Sequence, residues 1–274
     1  MVMKLIFVNA GVFLLFGIIY FVGFFLNAHS FYDWLQNQFE LHTSVSIIVR
    51  KPWTLITHMF THFEPGHILG NMLYLYFFGQ IFILYLGESK VLPLYIFTGL
   101  FGASLTIFAT HFISAIGKGQ DHAMVGASGA ILGIIFAVVA INPEHRVRIF
   151  FLGEVKIMYV ALVPLFIDIL SIPDGNAGGY IAHLGGAISG YYYIKLLQNG
   201  IDIFSPFEKL KTPFRRSSKV KVTYKNPDYK RSSEKNIGTN EQQRVDEILD
   251  KIARSGYDSL TKEEKDFLFN YSKK

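Results

Sequence analysis

Apolar residues in this chain come in long unbroken runs. They do not follow the alternating pattern of half-buried strands or the three-four pattern of surface helices. Leu5–Leu26 is one continuous run. Five more segments follow: His67–Leu86, which opens on polar groups, then Val91–Phe112, Gly126–Ile141, Lys156–Ile172 with Pro164 and Asp168 inside it, and Gly178–Leu197. About 20 apolar residues in a helix cross a bilayer core, so the pattern predicts six membrane helices. Gly126–Ile141 is short, about 24 Å at ~1.5 Å per residue. The first run exceeds the h-region of a secretory signal, and no small-x-small cleavage site follows it. It is expected to be a retained anchor.

After Asn199 the pattern changes. Ile201–Thr239 is polar and basic and is broken by Pro206, Pro213 and Pro227. It reads as a linker that either hugs anionic lipid through Lys209, Lys211, Arg215, Arg216, Lys219 and Lys221 or is simply solvated. Val245, Ile248, Leu249 and Ile252 then recur at helix spacing. Gly256 is placed to end that helix. Thr261 and Glu264 form a capping box for a second helix carrying Phe267, Leu268 and Tyr271. The expected organisation is a membrane body over residues 1–199, a basic flexible linker over 200–240 and a cytoplasmic helical hairpin over 241–274. The hairpin is too small to fold well alone. It is expected to dock on a partner, on a second copy of itself or on the membrane body.

Composition sharpens this picture. The chain is 51% hydrophobic and only 17% charged, which a soluble domain rarely is. The first 199 residues hold nine basic and nine acidic groups, so the whole net charge of +5 sits in the tail. The absence of cysteine excludes disulfides, thiolate nucleophiles and Cys-ligated metals.

Six spans put both termini on one side, and the basic tail makes that side the cytoplasm by the positive-inside rule. The loop Asn142–Val155 carries Arg146 and Arg148 and falls inside. The loops Ile113–Val125 and Pro173–Ala177 hold only Lys118 and fall outside. The first outer loop, from His29 to Gly66, carries Arg50 and Lys51 against the rule and mixes aromatic with polar groups, as a loop half-sunk in the interface would. In this orientation spans two, four and six enter from the outer face. Their first turns carry His67 and Asn71, Ser128, and His183, at a similar shallow depth. Polar groups are expensive in a membrane and usually functional.

A serine hydroxyl attacks a carbonyl when a base takes its proton, and a neutral imidazole suits that task near pH 7. Two small-residue stripes allow the required close approach: Gly129, Gly133 and Ala137 on span four, and Ala182, Gly186 and Gly190 on span six. His67 and Asn71 are four apart and share a helix face. With the backbone N–H of Ser128 they supply three donors for a tetrahedral oxyanion.

The stretches "GASG" at Gly126–Gly129, "AHLGGAISG" at Ala182–Gly190 and "HILGN" at His67–Asn71 resemble the three signatures of the rhomboid family of intramembrane serine proteases. The resemblance continues through "PWTLITHMFTHFEPGHILGNM", Pro52 to Met72, and covers roughly residues 5 to 198. It implies an all-α polytopic membrane protein: a six-helix bundle with a cavity opening outward, here with the small helical hairpin as a tail. It implies Ser128 as nucleophile and His183 as base and then acid, in a dyad without a third acid. It places His67, Asn71 and Ser128 at the oxyanion site, with Gly126, Gly129, Gly186 and Gly190 as small-residue packing. The implied reaction is hydrolysis of a peptide bond in a substrate's transmembrane helix near the outer membrane face, of a bacterial cytoplasmic membrane. Single-pass or polytopic membrane proteins and the lipid bilayer are the implied partners. No cofactor, resident metal or nucleic acid enters.

One position departs from the resemblance. Some family members carry an aromatic residue four positions after the nucleophile, stacked on the histidine; here it is Leu132, so the orientation of His183 stays open. Asp168 either faces the cavity or hydrogen-bonds at the interface; the second is expected, because the implied dyad needs no acid. His58 and His62 are four apart, but Met59 stands where the catalytic Glu of H-E-x-x-H would be. His62 is expected to be structural. The rival readings are an inactive relative that binds membrane helices, and a small transporter.

Overall fold

The computed structural model describes residues 1–113, 116, 121–149, 153–174, 176–205 and 238–271. The chain forms two compact units, residues 1–214 and 215–274. The first starts with α1 (Val2–Phe25) and passes through α2 (His29–Phe39), β1 (Leu41–His42), α3 (Val45–Arg50) and α4 (Thr54–Thr57) into α5 (Pro65–Leu86). Then come α6 (Val91–Phe112), β2 (Ala123–Met124), α7 (Ser128–Ile141), β3 (Arg146–Ile149), β4 (Gly153–Lys156), α8 (Ile157–Leu170) and α9 (Ala177–Gln198). The second unit holds α10 (Gly238–Ser255) and α11 (Lys262–Tyr271). The linker segment 206–237 lies outside the described residues.

The protein is a mostly helical, multi-pass membrane bundle. Three helical stretches, Val2–Phe25, Pro65–Leu86 and Glu88–Phe112, are long and apolar enough to cross a bilayer by themselves. α7 and α8 have 14 residues each, about 21 Å at the helical rise. The reason α7 can be short is its position: 11 of its 14 residues are buried, so its sides face protein instead of lipid. α1 is the opposite case. Phe7, Leu14, Ile18, Phe21 and Phe25 are exposed along its length, which fits a helix bathed in hydrocarbon on most sides.

Two regions differ from the sequence expectation. The long loop between α1 and α5 is largely helical, through α2, α3 and α4. The loop after α7 contains an antiparallel hairpin, with β3 and β4 in register from Arg146 opposite Lys156 to Ile149 opposite Gly153. The segment Arg146-Val147-Arg148-Ile149 alternates charged and apolar residues, a period-two pattern that suits a strand. Glu154 lies 3.8 Å from Arg146 and 3.7 Å from Arg148 across the hairpin. The short β1–β2 ladder is the other departure from an all-α chain.

The bundle is organised by contact between helix backbones. The stripes on α7 and α9 face each other. A Cβ on Gly186 would come within 1.9 Å of the Gly129 carbonyl oxygen, and one on Gly190 within 2.0 Å of the Gly133 carbonyl oxygen. α6 joins the same seam: a Cβ on Gly102 would meet the Ala182 carbonyl oxygen at 2.5 Å, and one on Gly133 would meet Thr98 at 2.3 Å. In lipid there is no hydrophobic gain from helix association itself, so packing of this kind carries the assembly. The hydroxyls along the seam bond within their own helices, and two of them also reach across it: Thr98 Oγ1 lies 3.2 Å from Ala130 O of α7 and Thr106 Oγ1 lies 3.1 Å from Gly178 O of α9. Thr98 donates to Leu94 O at 2.8 Å, Thr106 to Gly102 O at 3.0 Å and Ser189 to Gly185 O at 2.8 Å, each one turn back along its helix.

In the second unit, the capping box forms as its residues suggest. Thr261 N donates to Glu264 Oε2 at 2.8 Å, and Glu264 N donates to Thr261 Oγ1 at 3.3 Å. Lys251 of α10 pairs with Glu264 at 2.9 Å, which ties the two helices together.

Replacing Gly190 by Ala puts a methyl group against backbone that cannot move aside as a side chain would. Overpacking of this kind costs about 1–3 kcal/mol or more. Gly190→Ala is expected to lower the midpoint of thermal unfolding in detergent by several degrees. Gly70→Ala, whose Cβ meets nothing within 4 Å, is expected to leave it unchanged or raise it.

Candidate active site

Ser128 is the first residue of α7, and the long loop between α1 and α5 fixes the chain that leads into it. β1 pairs with β2. Asp121 accepts from the Ser44 amide at 2.9 Å and from His42 Nδ1 at 2.5 Å. His122 N donates to Thr43 Oγ1 at 2.9 Å, and Thr43 N donates to His122 O at 3.0 Å. One step closer, Gly126 N donates to His58 O at 2.8 Å, and Ala127 N donates to His62 Nε2 at 3.3 Å. Gly126 has φ of +116°, a conformation that residues with a Cβ rarely adopt. A Cβ there would also lie 2.7 Å from the His67 ring. The chain can make this turn only with glycine, and the turn delivers Ser128 to the head of α7.

The three entry helices then converge. His183 Nε2 lies 2.6 Å from Ser128 Oγ, within reach of proton transfer between nucleophile and base. His183 is in the second turn of α9, one residue after Ala182 on the stripe that packs against α7. The hydrogen bond is therefore a direct consequence of the glycine seam. His183 Nδ1 lies 2.7 Å from Asp168 Oδ2, on the last turn of α8. This corrects the expectation for Asp168: it does not spend its carboxylate on an interfacial bond but on the histidine. Among the described residues the ring contact nearest the open question of Leu132 is Tyr180, whose ring is edge-on to His183 at 6.5 Å.

Asn71 is buried on α5 and lines a cavity of about 180 Å³ together with Ser128, His183, Asp168, Leu132 and Pro164. Its side-chain nitrogen lies 2.8 Å from His62 Nε2. A primary amide has two N–H donors, so one is held by His62 and the second is left for a ligand in the cavity. The first N–H groups of α7, including that of Ser128, have no partner within their own helix and sit at its positive pole. His67, one turn before Asn71, packs against Gly126 and edge-on to His62 at 5.0 Å. Gly129 and Gly186 form the seam beneath the site, as do Gly133 and Gly190 further in. A second, smaller cavity of about 30 Å³ adjoins Ser128 and Gly129, between Met59 and Gly99.

Sequence reasoning gave His62 a structural place only. Its ring in fact holds both the amide of Asn71 and the amide before Ser128. Its spacing of four from His58 pointed to a helix face, and nothing in the pattern pointed to Asn71. His58 donates through Nδ1 to Thr54 O at 2.8 Å, so each of the two histidines is engaged with protein partners.

These two loop histidines make acid stability a readout of the scaffold. Burial pushes both His58 and His62 down to about 4, from an ordinary value near 6.5. Between those values the unfolded chain binds protons that the folded chain refuses. Stability from both groups is therefore full above pH ~6.5 and is lost as pH falls toward 4. At pH 5 the loss is roughly 2 kcal/mol per histidine. Thermal unfolding in detergent is expected at a lower temperature at pH 5 than at pH 7.5, and His62→Gln is expected to narrow that gap.

Residues 49–199 match the Rhomboid domain family, more than half of the chain. Residues 229–274 match a family of unknown function, DUF6576. The chain is 33% identical over 144 residues to RHOMBOID-like protein 12, mitochondrial, of Arabidopsis thaliana, covering 49% of this chain and 43% of that protein. It is 31% identical over 157 residues to the presenilin-associated rhomboid-like protein, mitochondrial, of Homo sapiens, covering 54% of this chain and 38% of that one. It is 30% identical over 149 residues to Rhomboid-like protein 17, chloroplastic, of Arabidopsis thaliana, covering 50% and 46%. The chain thus spans less than half the length of each of these relatives.

Proposed function

The chain belongs to the rhomboid family, and we propose that it is an intramembrane serine endopeptidase that cuts transmembrane helices of membrane proteins near the outer membrane face. The observation that carries this reading is the 2.6 Å contact between Ser128 Oγ and His183 Nε2 at the mouth of a cavity among membrane helices.

The chemistry follows from the atoms present. Ser128 Oγ attacks the scissile carbonyl carbon while its proton passes to His183 Nε2. The carbonyl oxygen becomes an oxyanion. Asn71 Nδ2, the Ser128 backbone N–H and His67 are its donors, with the positive end of α7 behind them. When the C–N bond breaks, His183 returns the proton to the departing amine. An acyl ester on Ser128 remains. Water then attacks that ester, His183 takes the water's proton, and the serine is released with its proton restored. A substrate helix hides its carbonyls in its own hydrogen bonds, so it must unwind before attack. Residues that weaken a helix favour this, and the 30 Å³ space beside Ser128 suits a small side chain at the cut.

Single-pass or polytopic membrane proteins are the substrates on this reading. The relatives are named for mitochondria and chloroplasts, so the compartment rests on the charge pattern alone. Basic residues in the hairpin loop and the tail put both termini on the cytoplasmic side, as in the inner membrane of a bacterium. The body is residues 1–199 and the tail hairpin 241–274. The hairpin leaves Leu249 and Phe269 exposed, which suits docking on a partner or on a second copy.

A fluorophosphonate probe reports an activated serine without any knowledge of substrate. The purified full-length protein is expected to take one label, and Ser128→Ala and His183→Ala to take none. A folded wild type that stays unlabelled in detergent and in lipid vesicles overturns the reading. Asn71→Ala is expected to slow labelling by about 10²–10³-fold, the usual effect of removing one oxyanion donor, with the unfolding midpoint as the check on folding.

A further inference from the structure

We propose that a groove between α5 and the β3–β4 hairpin binds an anionic phospholipid, with its phosphate on Arg148 and an acyl chain along α5. The proposal goes beyond the protease reading and does not depend on it.

Ser128 heads α7, and β3 follows the other end of that helix. The hairpin lies against the side of α5: Val147, Arg148 and Ile149 line a cavity of about 670 Å³ with Leu73, Phe77 and Ile81. The three α5 residues are spaced by four and share one helix face. Leu73 and Phe77 are exposed. Val160, in the first turn of α8, also lines the cavity. α5 is long and apolar enough to cross a bilayer, and Leu73 to Ile81 lie well inside its ends. This apolar wall therefore faces lipid chains instead of water.

Arg148 is the charge on that wall, and its side chain is 82% exposed. The carboxylate facing it is Glu154 at 3.7 Å, beyond hydrogen-bond length and shared with Arg146 at 3.8 Å. Two guanidiniums against one carboxylate leave a net positive charge beside the groove. Lys156 adds nothing to it, because Glu144 holds its ammonium at 2.6 Å. A cation against a membrane helix is costly until an anion joins it, and an arginine stem can lie on apolar surface while its head reaches the headgroup level. The occupant must therefore be apolar along one side and anionic at one end. A phospholipid with a net negative headgroup is both, and the guanidinium fork matches its phosphate. Basic sites between membrane helices hold anionic headgroups in this way. A soluble anion would leave the α5 wall bare. An apolar helix of a second copy would cover Arg148 without a partner for its charge, which is strongly unfavourable.

Native mass spectrometry of the full-length protein in detergent, titrated with phosphatidylglycerol or with phosphatidylcholine of the same chains, reads the bound lipid directly. The wild type is expected to hold phosphatidylglycerol about fivefold or more tighter than phosphatidylcholine. Arg148→Gln is expected to weaken phosphatidylglycerol about five- to tenfold and to erase that preference. Leu73→Trp, which fills the apolar wall, is expected to weaken both lipids and keep the preference. A tail variant, Lys219→Gln with Lys221→Gln, is expected to bind as the wild type does, and excess sodium phosphate to displace nothing. The proposal is overturned if the wild type holds both lipids equally, or if Arg148→Gln stays within about twofold of it. It is equally overturned if Leu73→Trp changes neither lipid, if the tail variant loses the preference, if free phosphate displaces the lipid, or if a second copy of the chain is bound in its place. Unfolding midpoints check each variant. Should Arg148→Gln not fold, the wild-type preference and Leu73→Trp decide by the same criteria.

Discussion

Everything at the site depends on two helices being closer than side chains permit. A methyl group on Gly186 or Gly190 would overlap carbonyl oxygens of α7 at about 2 Å. With α7 and α9 in backbone contact, a serine on one and a histidine on the other come within hydrogen-bond distance without extended side chains. Lipid does not drive such an approach. It is favourable because small residues let dispersion contacts run along the whole seam, and because the Thr98 and Thr106 hydroxyls share their bonds between their own helix and carbonyls of the helices beside it.

The seam sets the distance between α7 and α9 but not the depth of Ser128 or the direction from which the chain reaches it. The long loop between α1 and α5 does that. The β1–β2 pair, the Asp121 bonds to Ser44 and His42, and the carbonyl of His58 lead the chain to Gly126. His62 closes this scaffold by holding the amide of Ala127 and the side chain of Asn71 at once. One buried neutral ring therefore ties the approach to the nucleophile to a donor for the oxyanion. Preorganised donors of this kind need no rearrangement during reaction, and that is where their effect on rate comes from.

How much of this could be read beforehand follows from what each feature depends on. Helix spacing and run length carry the spans: Val91–Phe112 coincides with α6, and the others differ by a few residues at their ends. The stripes were legible because a four-residue period of small residues has one geometric meaning in a membrane helix. Asp168 was visible as an unusual charge, yet its partner was not, since it lies on another helix and nothing local sets the rotation of α8. His62 was obscured for the same reason. Arg146–Ile149 does carry an alternating pattern, but four residues in a charged loop are a weak signal against the base rate for turns, and the β-hairpin was read as plain loop.

Where the chain cuts is the most direct question to ask of it. Full-length protein and a set of single-pass transmembrane segments, some with glycine or alanine near their outer ends, would be reconstituted in phosphatidylethanolamine–phosphatidylglycerol vesicles. Mass spectrometry of the products gives the new C-terminus. Cuts within the outer third of a membrane segment, present with the wild type and absent with Ser128→Ala, are what this account predicts. Cuts confined to soluble tails, or cuts that persist in Ser128→Ala, would contradict it.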